Sequence, residues 1–419
     1  MKILVLGAGV IGVTTAYALG RQGHEVTVID AATEVAAGAS HANAGQLSYS
    51  YVDPFPNPEI VKKLTGYMLG RDNGIKINQS LSPHYYSWGV QFLRNCTAGR
   101  TKANMKTMLE FACHAMAAMQ RLTGELPGNL TANNSGSKLI LAKTNKGLEK
   151  FEKSAEQKRR YGFDVETLNR EQCIQKEPTL KDWRGAFCGG LYAGQERTID
   201  PLILCRTLKQ VSEKRFSVEY KFEHSIQSLT VKGNKISGVV TDKGHFDCDK
   251  VVMCLGAGTN KILKTIGKSS NIYPMRGYSL TLPLGAQTPK ASVTDPLSKI
   301  VFANFGDRVR IAGFLDANLP EDQIQSRGEM LLKTARGLLP EAADYAADNH
   351  LWAGYRPMTP SGVPIVKASS VDGLYYNMGH GSLGLTLAAG SAERIAKLVW
   401  QAMQRSSTIK VEEKHVLVS

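Results

Sequence analysis

The start of the chain carries a glycine-rich turn between a strand and a helix, and this pattern restricts the fold more than any other. Residues 2–6 (KILVL) form a short apolar run, and residues 10–20 carry small and apolar side chains at helical spacing. A second predicted strand, residues 26–29, ends at Asp30. Strand, tight turn, helix and strand in this order predict a βαβ unit and therefore an α/β fold.

Gly7, Gly9 and Gly12 form the pattern G-x-G-x-x-G inside this turn. Glycine lets the chain turn sharply there and lets a pyrophosphate approach the backbone. The helix that begins near Val10 and Ile11 offers amide donors and the positive end of its dipole. These features predict dinucleotide binding, with a purely structural glycine turn as the alternative.

Asp30 adds support for dinucleotide binding, and two further features favour FAD over NAD. Asp30 ends the second strand, where a carboxylate accepts hydrogen bonds from the adenosine ribose. Residues 38–45 (GASHANAG) are small and polar, which lets the backbone lie close to an isoalloxazine ring; a flexible loop is the alternative. Glycine-rich strand ends recur at 256–258 and 379–384, and the second precedes a helix whose amides favour negative charge near N1 of a reduced flavin.

The residues predicted to bind FAD come from all of these segments. They are Gly7, Gly9, Val10, Ile11, Gly12, Asp30, Ser40, Asn43, Ala44, Gly45, Gln46, Ile226, Gly256, Gly379, Gly381, Ser382, Leu383 and Gly384.

The cofactor-type elements lie at the start, middle and end of the chain, which predicts a Rossmann-like domain assembled from discontinuous segments. An α+β substrate domain built on an antiparallel sheet is predicted to be inserted between them. The predicted FAD-binding segments are 1–50, 198–270 and 346–405, the substrate-binding segments are 51–197 and 271–345, and residues 406–419 form a C-terminal tail. Further predicted elements are helices at 101–122, 145–160 and 326–338, a small antiparallel meander at 217–253, and strands at 272–282, 308–314 and 373–377.

Composition excludes several classes of protein and leaves others open. With 42% hydrophobic and 21% charged residues the chain is typical of a globular protein. The seven cysteines show neither metal-ligand spacing nor a disulfide framework, so we expect no metal site and a cytoplasmic location. The net charge of +14 favours acidic partners, but no compact basic and aromatic stretch suggests nucleic acid.

Membrane contact is expected to be peripheral at most. The apolar N-terminal run is interrupted by glycines and ends at Arg21, so it predicts folded core and not a spanning helix. Basic residues surround apolar ones at Lys62, Lys63, Leu64, Met68, Leu69 and Arg71. This stretch favours either a solvated helix face or a peripheral contact with an anionic membrane, on the cytoplasmic face of the inner membrane.

Six stretches resemble a known family. They are KILVLGAGVIG, HEVTVID, ANAGQLS, YPMRGYSLTLP, WAGYRPMTPSGVPIV and NMGHGSLGLTLAAGS. Together they resemble the small-subunit type of bacterial D-amino acid dehydrogenase, within the wider FAD-dependent D-amino acid oxidase and glycine oxidase group. The resemblance implies non-covalent FAD, oxidation of a small D-amino acid by hydride transfer to flavin N5, and an imino acid that hydrolyses to a 2-oxo acid and ammonia. It also implies that electrons pass to quinone or another acceptor of the respiratory chain.

The same resemblance suggests catalytic residues. Arg356 matches an arginine that grips the substrate carboxylate, and a guanidinium forms two parallel hydrogen bonds to such a group. Tyr278 is expected to offer a phenol to the carboxylate, with aromatic core packing as the alternative, and Tyr51 is expected to belong to a mobile loop over the substrate. His380 is expected to position groups near the flavin and not to act as a base, and Arg276 is a weaker candidate for binding the substrate.

Two departures from the family pattern leave alternatives open. His41 stands before Ala42 where the family has a small residue, which raises covalent flavin attachment as an alternative. Residues 195–199 (QERTI) match the family poorly, so the substrate range stays open. The alternative functions are an oxygen-using oxidase of glycine, sarcosine or a related amine, a tRNA-modifying flavoprotein, and an inert FAD-binding scaffold.

Overall fold

The computed structural model describes residues 1–128, 130 and 136–416, with side chains up to residue 404. The strands, in chain order, are β1 (Lys2–Leu6), β2 (Glu25–Ile29), β3 (Gln46–Leu47), β4 (Ile75–Ile77), β5 (Lys138–Ala142), β6 (Val165–Asn169), β7 (Gly189–Ala193), β8 (Arg197–Thr198), β9 (Val218–Lys221), β10 (Ile226–Lys232), β11 (Lys235–Thr241), β12 (Gly244–Asp247), β13 (Lys250–Met253), β14 (Tyr273–Pro283), β15 (Ser292–Asp295), β16 (Ile300–Asn304), β17 (Arg308–Ala317), β18 (His350–Met358), β19 (Ile365–Ala368) and β20 (Leu374–Met378). The α-helices are α1 (Val10–Arg21), α2 (Pro58–Met68), α3 (Pro83–Asn95), α4 (Ala98–Glu125), α5 (Asn145–Arg159), α6 (Arg170–Lys176), α7 (Pro201–Arg215), α8 (Thr259–Leu263), α9 (Ile324–Leu338) and α10 (Gly384–Val416).

One sheet of six strands has the order β19-β20-β13-β1-β2-β9, and its inner pairings are parallel. Both faces of β1 are buried, because Ile3 and Val5 join the core under helices α1, α4 and α10, while Leu4 and Leu6 join a second core. That second core lies under the antiparallel sheet β10-β11-β12. Burial on both faces is the usual environment of a parallel sheet. The predicted Rossmann-like α/β architecture is therefore confirmed.

The predicted meander at 217–253 is shorter than expected. Only β10, β11 and β12 form it, whereas β9 extends the six-stranded sheet beside β2 and β13 pairs in parallel with β1. Strand β13 is apolar and buried over residues 251–253, as a central strand of the parallel sheet requires, whereas β9 (VEYK) is an edge strand with only Val218 buried.

A larger, mainly antiparallel sheet follows the order β18-β14-β17-β16-β15-β5-β7-β6, and β4 pairs with β17 beside this path. Helices α6 and α9 cover its outer face with a separate apolar core. Strand β18 lies within the predicted FAD-binding segment 346–405, yet it pairs with β14 along the larger sheet. The division into domains stays a proposal, and β18 stands where the two halves of the molecule meet.

The long helices flank the six-stranded sheet. On α4, Met108, Leu109 and Met119 are buried in the core, and Met105 and Met116 pack against it partly buried. Helix α10 continues to Val416, through most of the predicted C-terminal tail. Within the described residues, no helix combines the length and apolarity needed to cross a bilayer.

Candidate active site

The turn between β1 and α1 depends on glycine at two positions. Gly7 has φ of 103°, and a Cβ there would lie 2.6 Å from the carbonyl oxygen of Cys254. A Cβ on Gly12 would lie 1.8 Å from the carbonyl oxygen of Gly7. Both distances are shorter than any real carbon contact, so only glycine lets the strand, the turn and the helix pack this closely.

This turn opens onto a groove of about 700 Å³. Asp30 lines it, and its carboxylate accepts hydrogen bonds from the amides of Ala8 at 2.6 Å and Ala32 at 2.8 Å. Ser40 also lines it and accepts a hydrogen bond from the Val10 amide at 3.0 Å, in the first turn of α1. Negatively charged groups are stabilised at such a helix N-terminus, so the groove suits a pyrophosphate and its ribose.

The small-residue loop 38–45 is held in place by the larger sheet. Arg310 on β17 is buried and donates to the carbonyl oxygen of Asn43 at 2.9 Å. Ser279 on β14 donates to the carbonyl oxygen of Ala42 at 2.7 Å. The loop is therefore attached to the sheet that carries the predicted substrate residues; Ser279 lies in the family stretch YPMRGYSLTLP, whereas Arg310 had no recognisable signal in the sequence.

The C-terminal glycine loop forms the opposite wall of the groove. Gly379 and Gly381 have φ of 78° and 56°, which a residue with a side chain rarely adopts. Between them His380 is buried, its Nε2 has no hydrogen-bond partner among the described residues, and burial lowers its pKa to about 3. The buried Oδ1 of Asn377, also on the groove, lacks a described partner as well.

The groove continues into a second cavity of about 620 Å³, because Ala39, Asn43 and Gly381 line both. The groove has a pyrophosphate site, close backbone and two residues with unpaired buried polar atoms, and it is joined to a second cavity, so the two spaces together fit FAD. Most of the predicted FAD residues line one or both spaces. Gly12 and Gly45 do not, since Gly12 faces Gly7 and Gly45 packs against Phe305.

Arg356 lines the second cavity and is fixed by an irregularity in the larger sheet. Its guanidinium lies directly over Gly277, where a Cβ would come within 2.7 Å of Nη2. Nη1 donates to the carbonyl oxygen of Phe314 at 3.1 Å. Phe314 has φ of 57° and belongs to a β-bulge, in which Phe314 and Leu315 of β17 lie opposite Gly277 of β14. Strained residues and bulges commonly direct side chains at functional sites.

Tyr278 borders the same cavity, but its ring packs with Leu280 and Leu282 in the core under α9, where the Arg327 guanidinium lies 5.7 Å from the ring centre. Because side chains alternate along β14, this is the face opposite Gly277 and Arg356, so the structure does not bring the phenol beside the arginine as predicted. The Tyr278 hydroxyl is buried and has no hydrogen-bond partner among the described residues. Burial raises the pKa of the Tyr278 phenol, and the Asp316 carboxylate raises it further. Asp316 is itself buried in a two-point ion pair with Arg327, at 2.8 and 2.9 Å. The phenol is therefore a neutral donor beside a fixed network of charges.

The far end of the cavity contains a lysine that the sequence did not single out. Tyr51, predicted to cover the substrate, lines this end, and Lys138 Nζ lies 4.9 Å from the centre of its ring. Lys138 is only 2% exposed, donates to Ser48 Oγ at 2.6 Å, and has a pKa lowered to about 8 by burial. Its signal in the sequence was a single charge beginning the apolar run LILA.

Two other candidates lie elsewhere. Arg276 points away from the cavity lining and donates to the Leu319 carbonyl at 3.2 Å and to the Tyr355 hydroxyl, so its contacts are structural. The His41 ring packs against Trp352, with centres 6.5 Å apart, and does not belong to the described lining of either space. The role of each predicted catalytic residue stays a prediction.

Fold and site together define a flavin-dependent oxidoreductase. The family model for FAD dependent oxidoreductases matches residues 2–398, and the chain belongs to this family. The predicted FAD cofactor and enzyme class are thereby confirmed.

Relatives and a solved structure agree with this assignment. The chain is 36% identical over 406 residues to a D-amino acid dehydrogenase of Vibrio cholerae, which covers 95% of both chains. It is 35% identical to D-amino acid dehydrogenase 2 of Ralstonia nicotianae, over 95% of this chain and 96% of the relative. A glycine oxidase structure from Bacillus cereus superposes with a TM-score of 0.70 at 20% identity, over 96% and 95% of the two chains, and supports the fold alone. The predicted family resemblance is confirmed.

Proposed function

We propose that the protein oxidises the carbon–nitrogen bond of a small D-amino acid and passes the electrons to quinone. The observation that carries this proposal is the position of Arg356 on the cavity that continues the FAD groove. Among the described residues only the Phe314 carbonyl accepts from its guanidinium, so Nε and Nη2 remain for a ligand. A planar guanidinium with free donors suits a carboxylate.

Each neighbouring side chain has a distinct part in the proposed reaction. Arg356 binds the substrate carboxylate and fixes the direction of its Cα–H bond. Tyr278 stays protonated because its pKa is raised, and it supports the strand that carries Gly277 from the side of α9. His380 stays neutral because its pKa is low, so it shapes the flavin site and transfers no proton. Tyr51 covers the cavity.

Bound FAD supplies the hydride acceptor, and the imino acid product hydrolyses to a 2-oxo acid and ammonia. Preference for the D enantiomer is supported by the names of relatives at 35% and 36% identity. The test is anaerobic bleaching of the flavin by matched D and L amino acids. Bleaching by D-alanine and not by L-alanine is expected, whereas the reverse preference would contradict the assignment.

An oxygen-using oxidase of glycine or sarcosine is the second candidate, favoured by the shared fold with glycine oxidase. Turnover with an artificial dye under nitrogen, compared with hydrogen peroxide formation in air, separates the two. A dehydrogenase reduces the dye and forms little peroxide. Rapid peroxide formation with glycine would favour the oxidase.

We also propose a peripheral membrane contact through helix α2 and the segment that joins it to α3. Leu69 and Leu81 are 60% and 94% exposed, and the exposed Lys62, Lys63 and Arg71 lie in the same stretch of chain. Apolar side chains with flanking cations suit an anionic bilayer, on the cytoplasmic face of the inner membrane if quinone is the acceptor.

Sedimentation with phosphatidylglycerol vesicles tests this contact. Leu69→Ser combined with Leu81→Ser is expected to abolish binding, and Trp400→Ser, at a 51% exposed position on α10, serves as the matched control. Equal binding of all three proteins, or equal binding to phosphatidylcholine, would contradict the proposal.

A further inference from the structure

Lys138 is a buried cation without an acidic partner. Its Nζ donates to Ser48 Oγ, and no carboxylate of the described residues lies within 4.0 Å. Glu196 is the acid with the largest electrostatic effect on the pKa of Lys138. Its Oε1 accepts hydrogen bonds from the amide and the hydroxyl of Ser50, both at 2.6 Å. Burying an unpaired charge costs several kcal/mol, so an isolated cation at a cavity calls for a bound group that compensates it.

Hydrogen bonds connect this lysine to the start of helix α10. The Ser48 amide donates to Thr386 Oγ1 at 3.1 Å, and that hydroxyl donates to the Gln46 carbonyl at 3.3 Å. Thr386 lies in the first turn of α10, and all four residues line the cavity. The lysine charge and the positive end of a long helix therefore act on the same end of the cavity.

Lys138 and Arg356 lie far apart along the larger sheet. Arg356 is on β18 and Lys138 on β5, with β14, β17, β16 and β15 between them. Five steps of about 4.8 Å each give a path on the order of 24 Å along the curved sheet. The sheet is curved, so both residues line one cavity, but Lys138 differs from Arg356 because it is connected through Ser48 to Thr386, just after the C-terminal glycine loop of the FAD groove.

We propose that Lys138 contacts the pyrimidine edge of the bound FAD and stabilises the negative charge that this edge carries after reduction. When a neutral amine loses a hydride, both electrons pass to the ring system and the substrate leaves as an iminium cation. The ring then carries one additional negative charge, so no other reactant is required. The inference deepens the proposed function but depends only on the flavin occupying this cavity.

A measurement of the flavin midpoint potential tests this role without any amino acid. Lys138→Gln removes the charge and keeps a donor for Ser48. The variant is expected to lose about tenfold in its affinity for reduced FAD relative to oxidised FAD. Its two-electron midpoint potential should therefore fall by ~30 mV. Lys250→Met is the control and is expected to leave the midpoint unchanged, since Lys250 is largely buried at 13% side-chain exposure, pairs with Asp372 at 3.5 Å and lines neither the groove nor the cavity.

The charge-conserving variant Lys138→Arg provides a second test that does not depend on a neutral side chain being tolerated. Its midpoint is expected to stay near that of the wild type. An unchanged midpoint in FAD-loaded Lys138→Gln, or an equal fall in Lys138→Arg and Lys138→Gln, would overturn the proposal. An unchanged midpoint with a rise in KM confined to acidic D-amino acids would also overturn it, and would assign Lys138 to the substrate.

Discussion

The guanidinium of Arg356 crosses Gly277 and donates a hydrogen bond to the carbonyl oxygen of Phe314, 3.1 Å away on β17. Phe314 presents that oxygen because the β-bulge turns its backbone to φ of 57°. One arginine is thus fixed by a glycine that gives it room and by a strained residue that accepts from it. Its remaining donors are left for a ligand of the cavity.

Replacing Arg356 tests whether these donors bind the substrate carboxylate. Arg356→Ala is expected to lower kcat/KM by on the order of a hundredfold or more, about 3 kcal/mol. Arg356→Lys keeps the charge but loses the planar pair of donors, so it should already be impaired. Steady-state kinetics with an amino acid and its matching amine measure the effect, since the amine has no carboxylate. Near-normal amino acid turnover by folded, FAD-loaded Arg356→Ala would refute the role.

Asp30 is expected to contribute both to ribose binding and to the shape of the glycine turn. Asp30→Ala should weaken FAD binding by roughly 1–3 kcal/mol, because it removes a charged acceptor that also binds the amides of Ala8 and Ala32. Titration of the apoprotein with FAD, followed by flavin fluorescence, measures this change. Glu34→Ala is the control, since Glu34 is a nearby exposed acid paired with Arg206. Equal affinity in both variants would contradict the assignment.

The buried ion pair between Asp316 and Arg327 is expected to support the wall that carries Tyr278. Asp316→Asn leaves the 1% exposed Arg327 without its counter-charge, so the free energy of unfolding should fall by about 3–5 kcal/mol. Denaturant unfolding measures it. Glu152→Gln removes an exposed ion pair to Arg159 and should cost at most about 1 kcal/mol. Similar losses of unfolding free energy in the two variants would show that the buried ion pair stabilises the fold no more than the exposed one does.

His380 is expected to make stability depend on pH in the acid range. Its pKa is about 3 when folded and about 6.5 when unfolded, so below pH 6.5 the unfolded state takes up a proton that the folded state does not. Stability is therefore lost as pH falls, by about 2 kcal/mol between pH 6.5 and 5. His380→Asn lacks this group, so its melting temperature should depend less on pH over that interval. Parallel curves for the two proteins would contradict a neutral, buried imidazole.

Local patterns in the sequence predicted much of the fold. The glycine turn, the βαβ unit and the C-terminal glycine loop each lie within a short segment, and backbone geometry requires glycine at Gly7, Gly379 and Gly381. Arg356 and Tyr278 were predicted through family motifs, and they line one cavity. The roles assigned to them remain predictions.

The remaining part of the site depends on contacts between distant segments. Lys138 is buried because β5 pairs with β15, so that Lys138 lies opposite Ser292, and because Ser48 packs on its ammonium group. Phe314 adopts a left-handed backbone conformation although it is not glycine, so its residue type could not have predicted the β-bulge. Neither a buried lysine nor a strained phenylalanine has a periodic signal in the sequence.

Anaerobic reduction of the flavin by one pair of enantiomers tests the central claim most directly. The protein is mixed with D-alanine or L-alanine without oxygen or any other acceptor, and the flavin absorbance is followed with time. We expect rapid, complete bleaching by the D enantiomer, none by the L enantiomer, and slow bleaching of Arg356→Ala by the D enantiomer. A fully loaded wild-type flavin that stays oxidised with a panel of small D-amino acids would contradict it.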